Sequence, residues 1–229
     1  FERIGDVAAQ APGVKIINFS IGDPSRPFIH TPSPLARLLD WLSWKYRVLF
    51  CVSAGNFSDD IELNITTANF DLLTSDAKAM HVLKCVEEQL SERRLLSPGE
   101  AMNALTIGAL HTDSSGDFAA AGRVDLFANS PLFSPASRLG HGFRKSVKPE
   151  VMFPGGRQLY NMSPQSGSCS INQYKNKPGQ KVAWDSDQQG ELSRCLHTRG
   201  TSNATALSTR GGARIFDVLE ALQADNGEQ

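Results

Sequence analysis

Neither sign of charge is in excess in this sequence: 23 Lys and Arg face 24 Asp and Glu over 229 residues, a formal net charge of -1. The lack of a basic field excludes nucleic acid and anionic membrane surfaces as expected partners. Long apolar runs are missing too, none approaching the roughly 20 residues of a bilayer span, so no membrane partner is expected. Residues 1–20 carry no secretory signal pattern. The four cysteines, Cys51, Cys85, Cys169 and Cys195, have no C-x-x-C spacing, which excludes zinc-ribbon and dithiol redox motifs. Cys51 sits in an apolar strand pattern and reads as a small core residue. Cys169 and Cys195 flank a polar loop, and a bridge between them stays open, since spacing alone does not establish disulfide geometry. Sequons at Asn18, Asn56, Asn64, Asn161 and Asn203 fall mostly in strand or site-like segments where no glycan fits, and read as chance. There is no internal repeat.

What is present is an apolar fraction of 40%, ordinary for a protein with a real core, organised as alternating strands and helices. Val14 to Gly22 (VKIINFSIG) reads as a buried strand closed by a Gly-Asp-Pro turn. Behind the start signal Ser33-Pro34, Leu35, Leu38, Leu39, Leu42 and Tyr46 follow helical spacing. Val48 to Val52 is a second continuous apolar strand, so strand, helix and strand make a crossover unit. Continuous rather than alternating apolar strands imply a parallel sheet covered on both faces. Ala104 to Ala109 and Lys148 to Gly156 supply two further strands. The expected fold class is therefore α/β, with three layers and a mostly parallel sheet flanked by helices, all within one domain over 1–229.

Two stretches stand apart from this pattern. Residues 57–97 form an insertion whose segment 79–96 reads as a surface helix with Val82, Leu83, Val86 and Leu90 on one face. Residues 157–199 turn polar and read as irregular or hairpin structure, with GQKVAWD as the lone strand-like island. Asp59-Asp60 and the run CVEEQLSERR read as solvated faces, and Trp41, Trp44 and Trp184 as packing residues. The last element is a helix whose apolar stripe, Ala204, Leu207, Gly211, Ile215, Val218 and Leu222, marks one buried face. Gly211 and Gly212 in its middle each cost about 1 kcal/mol relative to Ala, which suggests a close approach of backbone to backbone.

Three loops carry the chemistry. Ser20-Ile21-Gly22-Asp23 and Ser53-Ala54-Gly55-Asn56 follow apolar parallel strands, hence lie at the carboxyl edge where open α/β sheets bind ligands. Gly200-Thr201-Ser202 lies at the amino end of the last helix, where unpaired N–H groups favour negative charge. A carboxamide at Asn56 facing Ser202 would offer a tetrahedral intermediate one donor, and the Ser202 main-chain N–H a second. The blocks INFSIGDPS, VLFCVSAGN, SPGEAMNALTIGA, LFSPASRLG, KPEVMFPGG and GTSNATAL, in that order, resemble those of the subtilisin-like serine peptidases from about Asn18 to Leu207.

That resemblance implies Ser202 as nucleophile and Asn56 as oxyanion donor. It implies Ser20, Ile21 and Gly22 as an edge that pairs with an extended polypeptide substrate, and Ser53, Ala54 and Gly55 as one wall of the pocket for the residue before the scissile bond, small so that a side chain enters. Departures are Asn203, Ala206 and Leu207 where the family carries Met, Pro and His. The family's aspartate and His-Gly-Thr blocks are absent, and none of His30, His81, His111, His141 and His197 is followed by Gly-Thr. With no initiator Met, the chain reads as the C-terminal part of a catalytic domain whose early strands are missing, inactive or nearly so alone, and prone to self-association through an exposed sheet edge. The alternative is a pseudoprotease or peptide-binding regulatory module. No cofactor is required; the family often carries structural calcium, but no Asp-rich loop indicates it here. The unpatterned cysteines and missing signal lean toward the cytoplasm, with export, common in the family, as the alternative.

Overall fold

The computed structural model describes residues 2–127, 131–186 and 188–225. Helix α1 (Glu2–Gln10) precedes strands β1 (Ile16–Phe19) and β2 (Asp23–Pro27), and α2 (Pro34–Tyr46) leads into β3 (Leu49–Ser53). Then come β4 (Ile61–Glu62), α3 (Thr67–Asp71), α4 (Ser75–Glu88), β5 (Leu96–Ser97) and β6 (Leu105–Leu110). The remaining elements are β7 (Gly140–His141), β8 (Val147–Lys148), β9 (Val151–Pro154), β10 (Tyr160–Met162), β11 (Ser168–Ile171), β12 (Gln180–Ala183), β13 (Cys195–Thr198) and the long α5 (Thr201–Asp225).

Strands β1, β3, β6 and β9 form one parallel sheet in the order β1-β3-β6-β9, with Ile16 opposite Leu49, Cys51 opposite Leu105 and Ile107 opposite Val151. Side chains alternate across it. Phe50 and Val52 pack with Leu39 and Leu42 of α2, while Cys51 meets Ile107, Ala109 and Ala204 of α5 on the opposite face. Both faces being dry, every residue from Phe50 to Ser53 is buried, which is why the strand reads as an unbroken apolar run. Helix α2 starts where its sequence says it should: Ser33 Oγ accepts from Ala36 N at 3.1 Å and Pro34 occupies the first turn. Leu39 and Leu42 are fully buried, each contributing about 1.5–3 kcal/mol of hydrophobic stabilisation. The result is the expected three-layer α/β arrangement, with α1 and α2 on one side and α5 on the other.

Several expectations are corrected. Gly22-Asp23-Pro24 is not a turn: the chain runs on as β2, with Asp23 opposite Ser97 and Pro27 opposite Leu96 of β5. Pro is tolerated there because, among the described residues, β2 has a strand partner on one side only. Within segment 157–199 the hairpin alternative holds, with β10 paired to β11 and β12, inside GQKVAWD, paired to β13; what differs is that β11 also joins β4 of the insertion, making a three-stranded antiparallel sheet. Tyr160 and Cys169 from that segment are buried with Ile61, Leu63, Phe70, Val82 and Val86, so the two stretches share a second core. Strands of three or four residues with polar outer positions leave too short a period to read. In α4, Val82 and Val86 are buried as expected, but the helix ends at Glu88 and Leu90 is exposed. All four cysteines are free. Trp41 packs edge-on against Tyr46 with Lys45 over its ring, whereas Trp44 and Trp184 are largely exposed.

The stripe of α5 is also corrected. Ala204 is buried, but Ile215, Val218 and Leu222 lie in solvent, because at 25 residues the helix outruns the sheet that covers its first half. Its two glycines meet side chains rather than backbone. A Cβ at Gly211 would lie 4.0 Å from the Phe153 ring, an ordinary contact, whereas one at Gly212 would lie 3.3 Å from Ile16 Cδ1. Gly211→Ala is therefore expected to raise the unfolding free energy by about 1 kcal/mol in urea titrations, and Gly212→Ala to gain less because Ile16 must give way. Equal gains at both positions would contradict this packing.

Candidate active site

The site is assembled where strands end. Past β1 come Ser20, Ile21 and Gly22; past β3 come Ala54, Gly55 and Asn56; past β9 comes the pair Gly155-Gly156; and from Thr201 α5 departs. Gly200 N donates to Gly155 O at 2.9 Å, docking the start of α5 against the end of β9. Asn56 Oδ1 accepts from both Thr201 N, at 2.9 Å, and Thr201 Oγ1, at 3.0 Å. Ser20 Oγ lies 2.7 Å from Asn18 Oδ1 and 3.4 Å from the main-chain oxygen of Ser202. The ends of β1 and β3 and the start of α5 thus meet at one point.

The electronic consequence follows from the amide plane. With Oδ1 committed to Thr201, the Asn56 Nδ2 is turned the other way, and among the described residues no hydrogen bond occupies it. Ser202, the second residue of α5, has an exposed side chain, and Asn56 is exposed beside Thr201. The N–H groups of a helix's first turn lack partners within the helix and carry partial positive charge. The Asn56 amide and the start of α5, whose second residue is the exposed Ser202, are therefore joined through Thr201. Gly200 makes this approach possible: its φ is +132°, and a Cβ there would fall 2.9 Å from Asn56 Oδ1 and 3.0 Å from Nδ2.

The second feature is a clamp that sequence reading missed. Arg138 N donates to Gly55 O at 3.0 Å, Arg138 Nε to Asn56 O at 2.9 Å, and Phe57 N to Ala136 O at 2.8 Å. Two guanidinium groups meet the Phe57 ring, Arg93 at 3.9 Å and Arg138 at 5.5 Å from its centroid. Arg93 is fully buried and donates to Pro135 O and to Gln89 Oε1. Burial, with the like charge of Arg138 adding to it, pulls the Arg93 guanidinium down to about 10. This corrects the reading of SERR as a solvated face: within a charged run, nothing marks the one arginine that turns inward. On the far side, Asn203 Nδ2 reaches Thr198 Oγ1 at 3.1 Å and Gly155 O at 3.4 Å, so this departure ties α5 to β13 and β9. Arg157 holds the same loop through Asp113, with 2.8 Å from Arg157 N to Asp113 Oδ2. Burial alone would push the Asp113 carboxyl up, but hydrogen bonds from Arg157 and Ser115 outweigh it and hold it well below the usual carboxylate range.

The remaining expected residues divide. Ile21 is exposed, Ser20 and Gly22 are half-buried, and among the described residues no strand pairs with these three. Ser53, Ala54 and Gly55 are all buried. They do not wall an open pocket, because Ala54 N and O are taken by Ile107 O and Leu96 N and the Leu96 side chain packs on Gly55. A cavity of about 200 Å³ instead opens on the other flank, bounded by Asn56, Gln158, Lys175, Thr198, Arg199 and Gly200. Among the described residues no histidine hydrogen-bonds Ser202. His81 meets Leu63 O, buried His111 meets Asp125, and His197 lies in β13 with its basicity lowered by partial burial, Lys177 and Arg199. No three His, Cys, Asp or Glu side chains among the described residues form a metal-holding group.

The sequence profile of the subtilase family of peptidases matches residues 3–226, and the chain belongs to that family. It is 30% identical over 158 residues to the uncharacterized protein y4bN of Sinorhizobium fredii (strain NBRC 101917 / NGR234), covering 65% of this chain and 32% of that protein. The structure of the prenylagaramide maturation protease PagA is similar at a TM-score of 0.45 and 17% identity, covering 99% of this chain and 51% of that one. The chain thus spans about a third of the first protein and half of the second.

Gly200→Ala tests the central contact. Its Cβ would collide with the Asn56 carboxamide and its φ is strained for any other residue, so a loss of about 1–3 kcal/mol in unfolding free energy is expected, together with an upfield shift of the Thr201 amide proton as its bond to Asn56 breaks. A variant with unchanged stability and an unshifted Thr201 amide would show that the carboxamide is held elsewhere.

Proposed function

We propose that this chain carries the nucleophile and oxyanion site of a serine endopeptidase. Ser202 Oγ attacks the scissile carbonyl carbon and gives its proton to a histidine contributed from outside these 229 residues, oriented by an aspartate. The carbonyl oxygen takes up the negative charge and is received by Asn56 Nδ2 and the Ser202 N–H. Collapse breaks the C–N bond, the leaving amine takes the proton from the histidine, and an acyl ester remains on Ser202. Water, deprotonated by the same histidine, hydrolyses that ester. Ser20, Ile21 and Gly22 hold the substrate as an added extended strand through main-chain hydrogen bonds. These steps use no cofactor. The observation that carries the reading is the double hydrogen bond from Thr201 to Asn56 Oδ1, which leaves the amide N–H groups free beside an exposed serine on a helix start.

Without a base, a serine retains only what the oxyanion site and substrate binding contribute, so the 229 residues alone hydrolyse peptides slowly or not at all. In the full-length protein a fluorophosphonate is expected to label Ser202, with labelling abolished by Ser202→Ala. Asn56→Ala is expected to lower kcat by about 10²- to 10³-fold, the loss known for the corresponding donor of subtilisin itself. Folded full-length protein that takes no label would favour the second reading, a peptide-binding pseudoprotease, which is motivated by the lack of any histidine hydrogen-bonded to Ser202 among the described residues.

Partners follow from the same surfaces. Among the described residues β1 pairs with β3 alone, and Ile215, Val218, Leu219 and Leu222 of α5 are exposed. An open strand edge beside an apolar stripe favours association, so the chain by itself is expected to form dimers or larger species in sedimentation velocity. A monomer at every concentration would refute this.

A further inference from the structure

Gly22 and Gly55, the glycines that the family resemblance sets on either side of the substrate residue before the scissile bond, both lie against a single side chain of this protein. A Cβ at Gly55 would fall 2.6 Å from Leu96 Cγ and 2.8 Å from Leu96 Cδ1, and one at Gly22 would fall 3.2 Å from Leu96 Cβ. Gly55 has a φ of +98°, a backbone that L side chains rarely adopt, so both its conformation and its lack of Cβ suit the leucine. Leu96 is also fixed through its backbone. Its N–H donates to Ala54 O at 3.1 Å, its carbonyl accepts from Gly99 N at 2.7 Å, and it stands opposite Pro27 in the β2–β5 ladder. With 5% of its surface exposed, Leu96 fills the interval between Gly22 and Gly55 and does not merely floor it.

We propose that Leu96 is the specificity-determining residue of this site and restricts it to substrates with glycine, alanine or serine immediately before the cut. The inference rests on the placement of Ser202, Asn56 and the Ser20–Gly22 edge proposed above. A substrate strand lying along Ser20–Gly22 directs that residue's side chain toward Gly55, into space the leucine already holds. A methyl or hydroxymethyl group reaches no deeper than the rim. A leucine or phenylalanine must expel Leu96 from between two glycines, and overpacking of this kind selects against it by about tenfold or more.

The test uses peptides acetyl-Ala-Ala-Ala-X with a free carboxylate, where X is Gly, Ala, Leu or Phe. These are product-like ligands whose binding needs no base, and calorimetry on the protein, Leu96→Gly and Leu96→Ala reads their affinities. The protein is expected to bind the Gly and Ala peptides about tenfold or more tightly than the Phe peptide, and Leu96→Gly to reverse that order. Leu96→Ala, the milder change should the glycine variant fail to fold, is expected to narrow the gap in favour of Leu. Equal affinity for the Ala and Phe peptides, or an order that neither folded variant alters, would overturn the assignment. Failure of every peptide to bind the folded protein would overturn it together with the substrate edge. Hydrolysis of the corresponding amides by the full-length protein is read separately: binding in the expected order without hydrolysis sustains the role of Leu96 while removing the peptidase reading.

Discussion

One carboxamide oxygen closes this architecture. Asn56 Oδ1 receives two donors from Thr201, a residue 145 positions away, at 2.9 and 3.0 Å. A helix start needs a side chain to satisfy its first N–H groups, and the position just before Thr201 is Gly200, which has none. The cap is supplied from the sheet instead. Asn56 is thereby a tertiary helix cap, and the arrangement solves two problems with one group: it satisfies the N–H of Thr201 and fixes which side of the amide plane carries the remaining donors. The next N–H, that of Ser202, has no partner within the helix's first turn. A conventional Ser or Asp cap at position 200 would collide with Asn56 and destroy the link, so the glycine and the asparagine form one unit.

Around that unit, the protein invests in rigidity. Asn56 is the residue after a buried strand end, and by itself a loop there would be free to turn its amide over. Arg138 removes this freedom by binding Gly55 O through its main chain and Asn56 O through its guanidinium, while the Phe57 ring is held by Arg138 and Arg93. Two cations are buried close together with main-chain carbonyls and one glutamine as acceptors. That is tolerable for arginine and not for lysine, because the guanidinium is more weakly hydrated and spreads its charge over several donors. The contact with an aromatic face adds a further attraction that strengthens once water is excluded.

The sheet and its helices were legible because both faces of β3 and β6 are covered, so apolar side chains follow one another without interruption and the period is plain. Ser33-Pro34 announced α2 through capping chemistry that is entirely local. The meeting of Asn56 with Ser202 was legible only through the order of the blocks around them, since no local pattern connects residues so far apart. What could not be read lies in three kinds of place. Strands β10 and β11 are too short to show a period, and β11 finds its second partner in β4, far upstream in the sequence. Arg93 is one charge in a run of charges, indistinguishable until Phe57 stacks on it. The buried state of Ser53, Ala54 and Gly55 depends on Leu96, which arrives from the end of the insertion, where the sequence read only as the tail of a surface helix.

These last two misreadings have one physical origin. Composition describes what a residue prefers on average, whereas a site is set by which neighbour arrives to meet it. Small residues after a strand are compatible with an open pocket or with a filled one, and the difference is the single side chain that lands on them. A charged residue in a surface-like run is compatible with solvent or with a ring of carbonyls, and the difference is whether the segment passes beside a loop whose carbonyls point inward. In this chain both neighbours come from the insertion: Arg93 and Leu96 are three residues apart, one fixing Asn56 from behind through Phe57 and the other occupying the space beside Gly55. The insertion that stands apart from the strand and helix pattern of the sequence therefore bears on both the orientation of the amide and the room left for a ligand. A change in the length of the insertion's last turn would be felt at the site through both residues at once, because β5 is anchored on Ala54 O and cannot move one without the other.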